Sequence, residues 1–213
     1  MAQITRAALK ALADAQVEDN VSKAISPQDI RDLLKSLADS AYFKEDESII
    51  SASLIDMQVF ISSGTYTKSV GANKAIIFAT GGGGGGGDDP GDGGGGAGAT
   101  ALTLADVSAV TSEVVTIGAA GTSSGNGGTT SVGTLAVAGG GVARSGAVGG
   151  AGGTASAGTI LMPGGGGGDG DASEAIEGVG GSSFWGGDAA RGSGAKGDTG
   201  AGNGGIAVIF EFG

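Results

Sequence analysis

The 213-residue chain contains no Cys and no His, and only three Pro, two Tyr and one Trp. Each shortage removes a class of chemistry. Without His or Cys there is no Ser-His-Asp triad, no thiol nucleophile, no zinc finger and no haem or iron–sulfur ligation of the usual kinds. No uninterrupted run of about 18 bulky apolar residues occurs, so no membrane-spanning helix is expected. Met1–Ala15 is broken by Arg6, Lys10 and Asp14 where a secretory signal needs a compact apolar stretch, which reads as synthesis in the cytoplasm. Cations are scarce as well: 11 Lys and Arg stand against 22 Asp and Glu, a net charge of -11. Nucleic acids and anionic membrane surfaces are recognised through basic faces, so neither is an expected partner.

Glycine is in excess. It makes up 49 residues, against a usual frequency near ~7%. All but Gly64, Gly71 and Gly213 fall between Gly81 and Gly205, and before Gln58 there is none. The stretch before Gln58 reads as helical. Ser26-Pro27-Gln28-Asp29 has an N-cap, a proline at the first helical position and an acid near the positive dipole end. Ile30, Leu33, Leu34, Leu37 and Ala41 then follow helical spacing, and Ala8, Leu9, Ala11, Leu12 and Ala15 suggest an earlier helix. Two short helices bury little alone. Ile30, Leu33, Leu34 and Leu37 are therefore the expected attachment or oligomerisation face.

From Gln58 the period changes. Val59–Ile61, Thr65–Thr67 and Lys74–Thr80 read as strands, as does Ile206–Phe212 on the far side of the glycine region. Pairing of these runs would clamp that region shut. Gly81–Gly87 breaks any every-third-residue collagen register. Recurrent glycine clusters also do not fit a single phosphate loop. Apolar insertions such as Leu102-Thr103-Leu104, Val114–Ile117, Leu135-Ala136-Val137 and Ile160-Leu161-Met162 argue against a floppy linker. Polyglycine-II helices offer a packed alternative, because their backbone groups point outward and can bond to neighbouring helices. The expectation is a mixed fold. An N-terminal α-helical segment would occupy 1–57. A glycine-rich domain of packed polyglycine-II helices would occupy 58–213, with leading strands in 58–80, a core in 81–205 and a closing strand in 206–212.

Thr65-Tyr66-Thr67 followed by Lys74–Phe78 and Gly81–Gly87 resembles the leading strands of bacteriophage glycine-rich tail-fibre domains. Thr129–Gly140, Gly152–Gly158, Gly180–Gly187 and Asn203–Ile209 look like later blocks of the same domain. Ile25–Glu47 is similar to a short module near the N-termini of virion proteins. The resemblance implies a virion protein made in the host cytoplasm: a tail fibre or adhesin, typically a homotrimer, that recognises a bacterial polysaccharide or outer-membrane protein and joins other virion proteins. A non-adhesive head or tail decoration is the alternative.

Three stretches are candidate receptor contacts, since binding residues commonly sit on loops held by a rigid scaffold. Asp88, Asp89 and Asp92 follow the first glycine run, and Glu174 and Ile176 lie in an acidic loop. Phe184 and Trp185 precede Arg191 and Lys196 and are the favoured stretch of the three, an aromatic anchor or, equally, an end-cap for the packed glycines. Asp169, Asp171 and Glu174 lie close in sequence, but neither acidic cluster has EF-hand spacing and nothing builds a substrate cleft around them. No metal, cofactor or enzymatic activity is expected.

Overall fold

The computed structural model describes residues 53–187 and 189–213, which form a unit beginning at Ser53. It is all-β. Ten strands run through it: β1 (Leu54–Phe60), β2 (Gly64–Thr67), β3 (Lys74–Thr80), β4 (Thr100–Asp106), β5 (Ser112–Thr116), β6 (Thr130–Val132), β7 (Ala136–Ala138), β8 (Ala155–Ala157), β9 (Ile160–Met162) and β10 (Ile206–Phe212). They make two five-stranded antiparallel sheets. Sheet I has the order β1-β10-β3-β4-β9 and sheet II the order β2-β5-β6-β7-β8.

This corrects the expected mixed fold of a helical segment followed by a polyglycine-II domain. Among the described residues there is no helix, and two antiparallel sheets define the architecture. The physical reason lies in the apolar insertions. Left unassigned within the expected glycine core, they carry the alternation and β-branched residues of strands, and Leu102, Val115, Leu161 and their neighbours pair into the sheets. Strand β1 also takes Leu54–Met57 from the segment read as helical. Ile30, Leu33, Leu34, Leu37 and the rest of residues 1–52 lie outside the described residues.

Inward positions on sheet I are mostly alanine, with two isoleucines: Ala75, Ile77 and Ala79 on β3, Ala101 and Ala105 on β4, Ala207 and Ile209 on β10. They meet Tyr66, Val115, Val132, Ala136 and Ala138 of sheet II, all fully buried. Alanine at most of these places lets the two sheets approach closely. The larger apolar side chains of sheet I, Ile76, Phe78, Leu102, Leu104 and Phe210, alternate to the outer face. Strand β10 pairs with β3 from Ile206↔Thr80 to Phe212↔Lys74, tying the two ends of the glycine region together.

The glycine segments belong to neither sheet. They are connections held by bonds between backbones. Gly81 donates its N–H to Ala99, Gly82 to Gly128, Gly83 to Asn203, Gly84 to Gly96 and Gly85 to Gly125, at 2.8–3.0 Å. The donors point in turn at three neighbouring connections, so each run is pinned from several sides. Side chains are excluded because carbonyls occupy their place: a Cβ on Gly83 would coincide with the Ser193 carbonyl, and one on Gly85 with that of Thr122. Gly166 is different, since its Cβ would meet only the Gly150 oxygen at an ordinary 3.6 Å.

Glu211 fastens the sheets to the segment between β2 and β3. Fully buried on β10, its carboxylate accepts bonds from Tyr66 Oη (2.7 Å), Ser69 Oγ (2.6 Å), the Ser69 amide (3.0 Å) and Gln58 Nε2 (3.2 Å). Burial pushes the Glu211 pKa up, but the bonds from Ser69, Tyr66 and Gln58 outweigh it and hold the carboxyl below its ordinary range. Tyr66 is pushed up, first by burial and then by the adjacent carboxylate.

Two predictions follow from these contacts. Gly83→Ala should cost several kcal/mol or prevent folding, whereas Gly166→Ala should stay within ~1 kcal/mol of the parent, as read by urea unfolding. For Glu211, a lowered folded-state pKa means its contribution is present above the unfolded value near ~4.3 and is lost as pH falls through the folded value. Unfolding free energy should therefore drop on acidification from about pH 5. In Glu211→Gln it should start about 1–3 kcal/mol lower at pH 7 and show less of that acid dependence.

Candidate functional site

The described unit presents two surfaces of opposite chemistry, one at the end of the glycine connections remote from the sheets and one on the outer side of sheet I. The first is built from five loops: 88–92, 122–125, 144–148, 169–177 and 196–200. They come from distant parts of the chain and are bonded to one another or to the same glycine run. Gly93 donates to Gly146, Gly170 to Ala147, Gly178 to Asp92, Ser124 to Gly86 and Gly200 to Gly87, at 2.7–3.2 Å. Asp171 and Ile176 exchange backbone bonds at 2.7 and 3.0 Å, closing the fourth loop into a hairpin whose turn holds Ala175 at φ +53°. A non-glycine residue in that region carries strain that the surrounding bonds must hold.

Charge on this end is one-sided. Asp88, Asp89, Asp92, Asp169, Asp171, Glu174, Glu177 and Asp198 share it with Arg144 and Lys196. Arg144 grips Asp92 through both terminal guanidinium nitrogens, Nη1 to Oδ1 at 3.0 Å and Nη2 to Oδ2 at 2.9 Å, with both side chains about 15% exposed. Lys196 pairs with Glu177 at 3.2 Å. The hydroxyl and amide of Ser173 bond Asp171 and hold its carboxyl below the usual range. Asp88, Asp89 and Glu174 face solvent, and Ile176 and Val148 are apolar tips 52% and 60% exposed. Among the described residues no three acidic side chains gather into a group that could hold a metal ion.

The structure thus separates the nine receptor candidates read from the sequence. Asp88, Asp89, Asp92, Glu174, Ile176 and Lys196 come together on the loop end. Phe184, Trp185 and Arg191 do not. They belong to the sheet end, where Ser183 and Gly186 form a tight hairpin and Ser183 Oγ bonds the Arg191 carbonyl at 2.6 Å. Phe184 and Trp185 meet edge to face at 5.1 Å, and both lean on Phe78 of sheet I, at 5.6 and 6.0 Å between ring centres. The indole N–H of Trp185 bonds Thr80 Oγ1 at 2.9 Å, and Thr80 in turn bonds Thr100 at 2.8 Å. This aromatic pair therefore caps the boundary between β3 and Gly81. Asp92 is committed to Arg144, so it supports the loop end rather than reaching outward.

Arg144 and Val148 were not picked out from the sequence. One signal existed, since Arg144, Arg191 and Lys196 are the only cations between Gly81 and Gly205. Cations that scarce in an acidic chain tend to have assigned partners. A cavity of about 230 Å³ is lined by Ala189, Gly194, Ala195, Lys196, Thr199, Ala201 and Asn203, and Thr199 Oγ1 there donates to the Lys196 carbonyl at 3.2 Å.

Arg144→Met should leave the largely buried Asp92 carboxylate without its charge partner, at a cost of about 2–4 kcal/mol. The loss should be visible as a lower unfolding midpoint and faster amide exchange at Asp92 and Gly93, with Tyr66 and Ile77 exchange slowed as before. Compared with known proteins, the chain matches no protein-family model and no curated protein.

Proposed function

We propose that the chain is a virion appendage protein, a tail fibre or adhesin, that touches a bacterial surface receptor with its loop end. The observation that carries this reading is the convergence of five sequence-distant loops on one end of a tightly bonded body. Loops fixed in this way lose little conformational entropy on binding, which favours affinity per contact. The order of strand-like and glycine-rich blocks, similar to phage tail-fibre domains, supports the same reading. Ile176 and Val148 would supply apolar contact, and Asp88, Asp89 and Glu174 polar contact that suits sugar hydroxyls or the amines of a cell-surface polymer. The reading is adhesive rather than catalytic, because it uses the carboxylates of 169–177 as an exposed turn held by Ser173 and not as an acid–base pair in a cleft.

Adsorption of the purified full-length protein to a panel of intact bacteria tests it. On strains that bind the parent, Ile176→Asp combined with Glu174→Ala should reduce adsorption at least ten-fold while the unfolding midpoint stays unchanged. Phe184→Ala should keep most of it. If no strain binds, or if the loop variant binds as well as the parent, the non-adhesive decoration reading takes over.

A further inference from the structure

The same four residues, Gly-Asn-Gly-Gly, stand at 125–128 and again at 202–205. Asparagine followed by glycine is prone to lose its side-chain amide in water. The nitrogen of the following residue, once deprotonated, attacks the asparagine Cγ: a C–N bond forms, the bond from Cγ to Nδ2 breaks and ammonia leaves. Water then opens the five-membered imide to aspartate or isoaspartate. Glycine in the attacking place has no Cβ to hinder the approach. Because the two tetrapeptides are identical, any difference in their rates within the folded protein comes from the fold.

The fold treats them differently. At the first, Gly127 donates its N–H to the Gly141 carbonyl at 2.9 Å, and Asn126 Oδ1 accepts the Ala143 amide at 2.9 Å. The attacking and the attacked group are thus tied to different neighbours. A Cβ on Gly127 would coincide with the Gly82 oxygen, so that peptide has no room to turn.

At the second, the Gly204 N–H meets no acceptor among the described residues. Its surroundings are open, since a Cβ there would first meet Arg191 Nη1, at 3.4 Å. Arg191 is exposed and forms no ion pair among the described residues, whereas Lys74, Arg144 and Lys196 are each paired with an acid. A guanidinium beside the Gly204 amide favours the deprotonated nitrogen, the form that attacks.

We propose that Asn203 is a site of self-modification: in the folded protein it converts to aspartate or isoaspartate, with water as co-reactant and Arg191 speeding the step, while Asn126 persists. Exposure alone would choose the other, because Asn126 is exposed and Asn203 half-buried. The conversion carries a structural cost. Asn203 Nδ2 donates to Ser193 Oγ at 2.8 Å, and that buried hydroxyl itself donates to the Ala190 carbonyl. A carboxylate cannot replace the lost donor, and isoaspartate adds a backbone carbon just before β10. The converted protein should therefore unfold at lower urea. None of this depends on the receptor reading.

Folded full-length protein held in mildly alkaline buffer provides the test. Tryptic peptides 75–144 and 197–213 separate the two sites, and mass spectrometry reads the gain of one mass unit in each. Conversion at Asn203 should run at least ten-fold faster than at Asn126 while the protein is folded, and the two rates should converge in urea. Arg191→Gln should slow Asn203 at least three-fold and leave the Asn126 rate and the unfolding midpoint where they were. Equal rates in the folded protein, a faster Asn126 or two silent sites would overturn the proposal. An Arg191→Gln rate equal to the parent's would overturn the part given to the guanidinium.

Discussion

The constraint on which everything else depends is the distance between backbones in the glycine connections. Carbonyl oxygens stand where side chains would be, as at Gly83 and Gly85, so each connection is stabilised by N–H···O bonds to its neighbours and by very little side-chain burial. A net backbone bond contributes only ~1 kcal/mol, and fixing glycine costs more conformational entropy than fixing any other residue. Such a body holds only if nearly every bond is made at once. The sheets supply the fixed boundary that makes this possible, because β3 and β10 bring Thr80 and Ile206, the two ends of the glycine region, into direct register.

That boundary also divides the molecule chemically. Apolar residues concentrate on the sheets and acids on the loops, with glycine between them carrying almost no side-chain chemistry. A run such as Gly81–Gly87 at ~3.3 Å per residue separates the two ends by roughly 20 Å, more than two Debye lengths at physiological salt. Charge at the loop end is therefore felt weakly at the sheet face. Each end can change its residues without disturbing the other, provided the glycines and the Arg144–Asp92 and Glu211–Tyr66 anchors stay in place.

Much of the strand content was legible. Lys74–Thr80 and Ile206–Phe212 read as strands and as partners because they are β-branched, aromatic and placed on either side of the glycine. What could not be read was which side faces inward. In β3, Ile77 is buried and Ile76 is turned to the outer face, yet both are isoleucine, so no polar alternation marks the inner side. The short strands β6 to β9 were hidden for another reason: three residues each of Thr, Ser, Ala, Val, Ile, Leu and Met, set among glycines, carry almost no period of their own. Their pairing is a tertiary fact. The candidate residues were legible as residue types but not as a site. Phe184 and Trp185 stand out as rare aromatics, and the reason for them lies in Phe78 and Thr80, more than 100 positions away. Glu211 gave no sign of its buried role, because its partners Gln58, Tyr66 and Ser69 are equally remote.

Strand β10 lies between β1 and β3, although it is the last of the ten strands in the chain and they are among the first. Sheet I therefore cannot close as a ribosome delivers its early strands. β1 has no neighbour until Ile206–Phe212 emerges, and Tyr66, Ser69 and Gln58 wait for the carboxylate that arrives with it. Contacts of such sequence separation make folding slow and leave an apolar sheet edge uncovered meanwhile. Nascent chains of this protein should depend on dilution or on chaperone shielding until the final strand inserts, and shortening the chain before Ile206 removes the keystone rather than an edge.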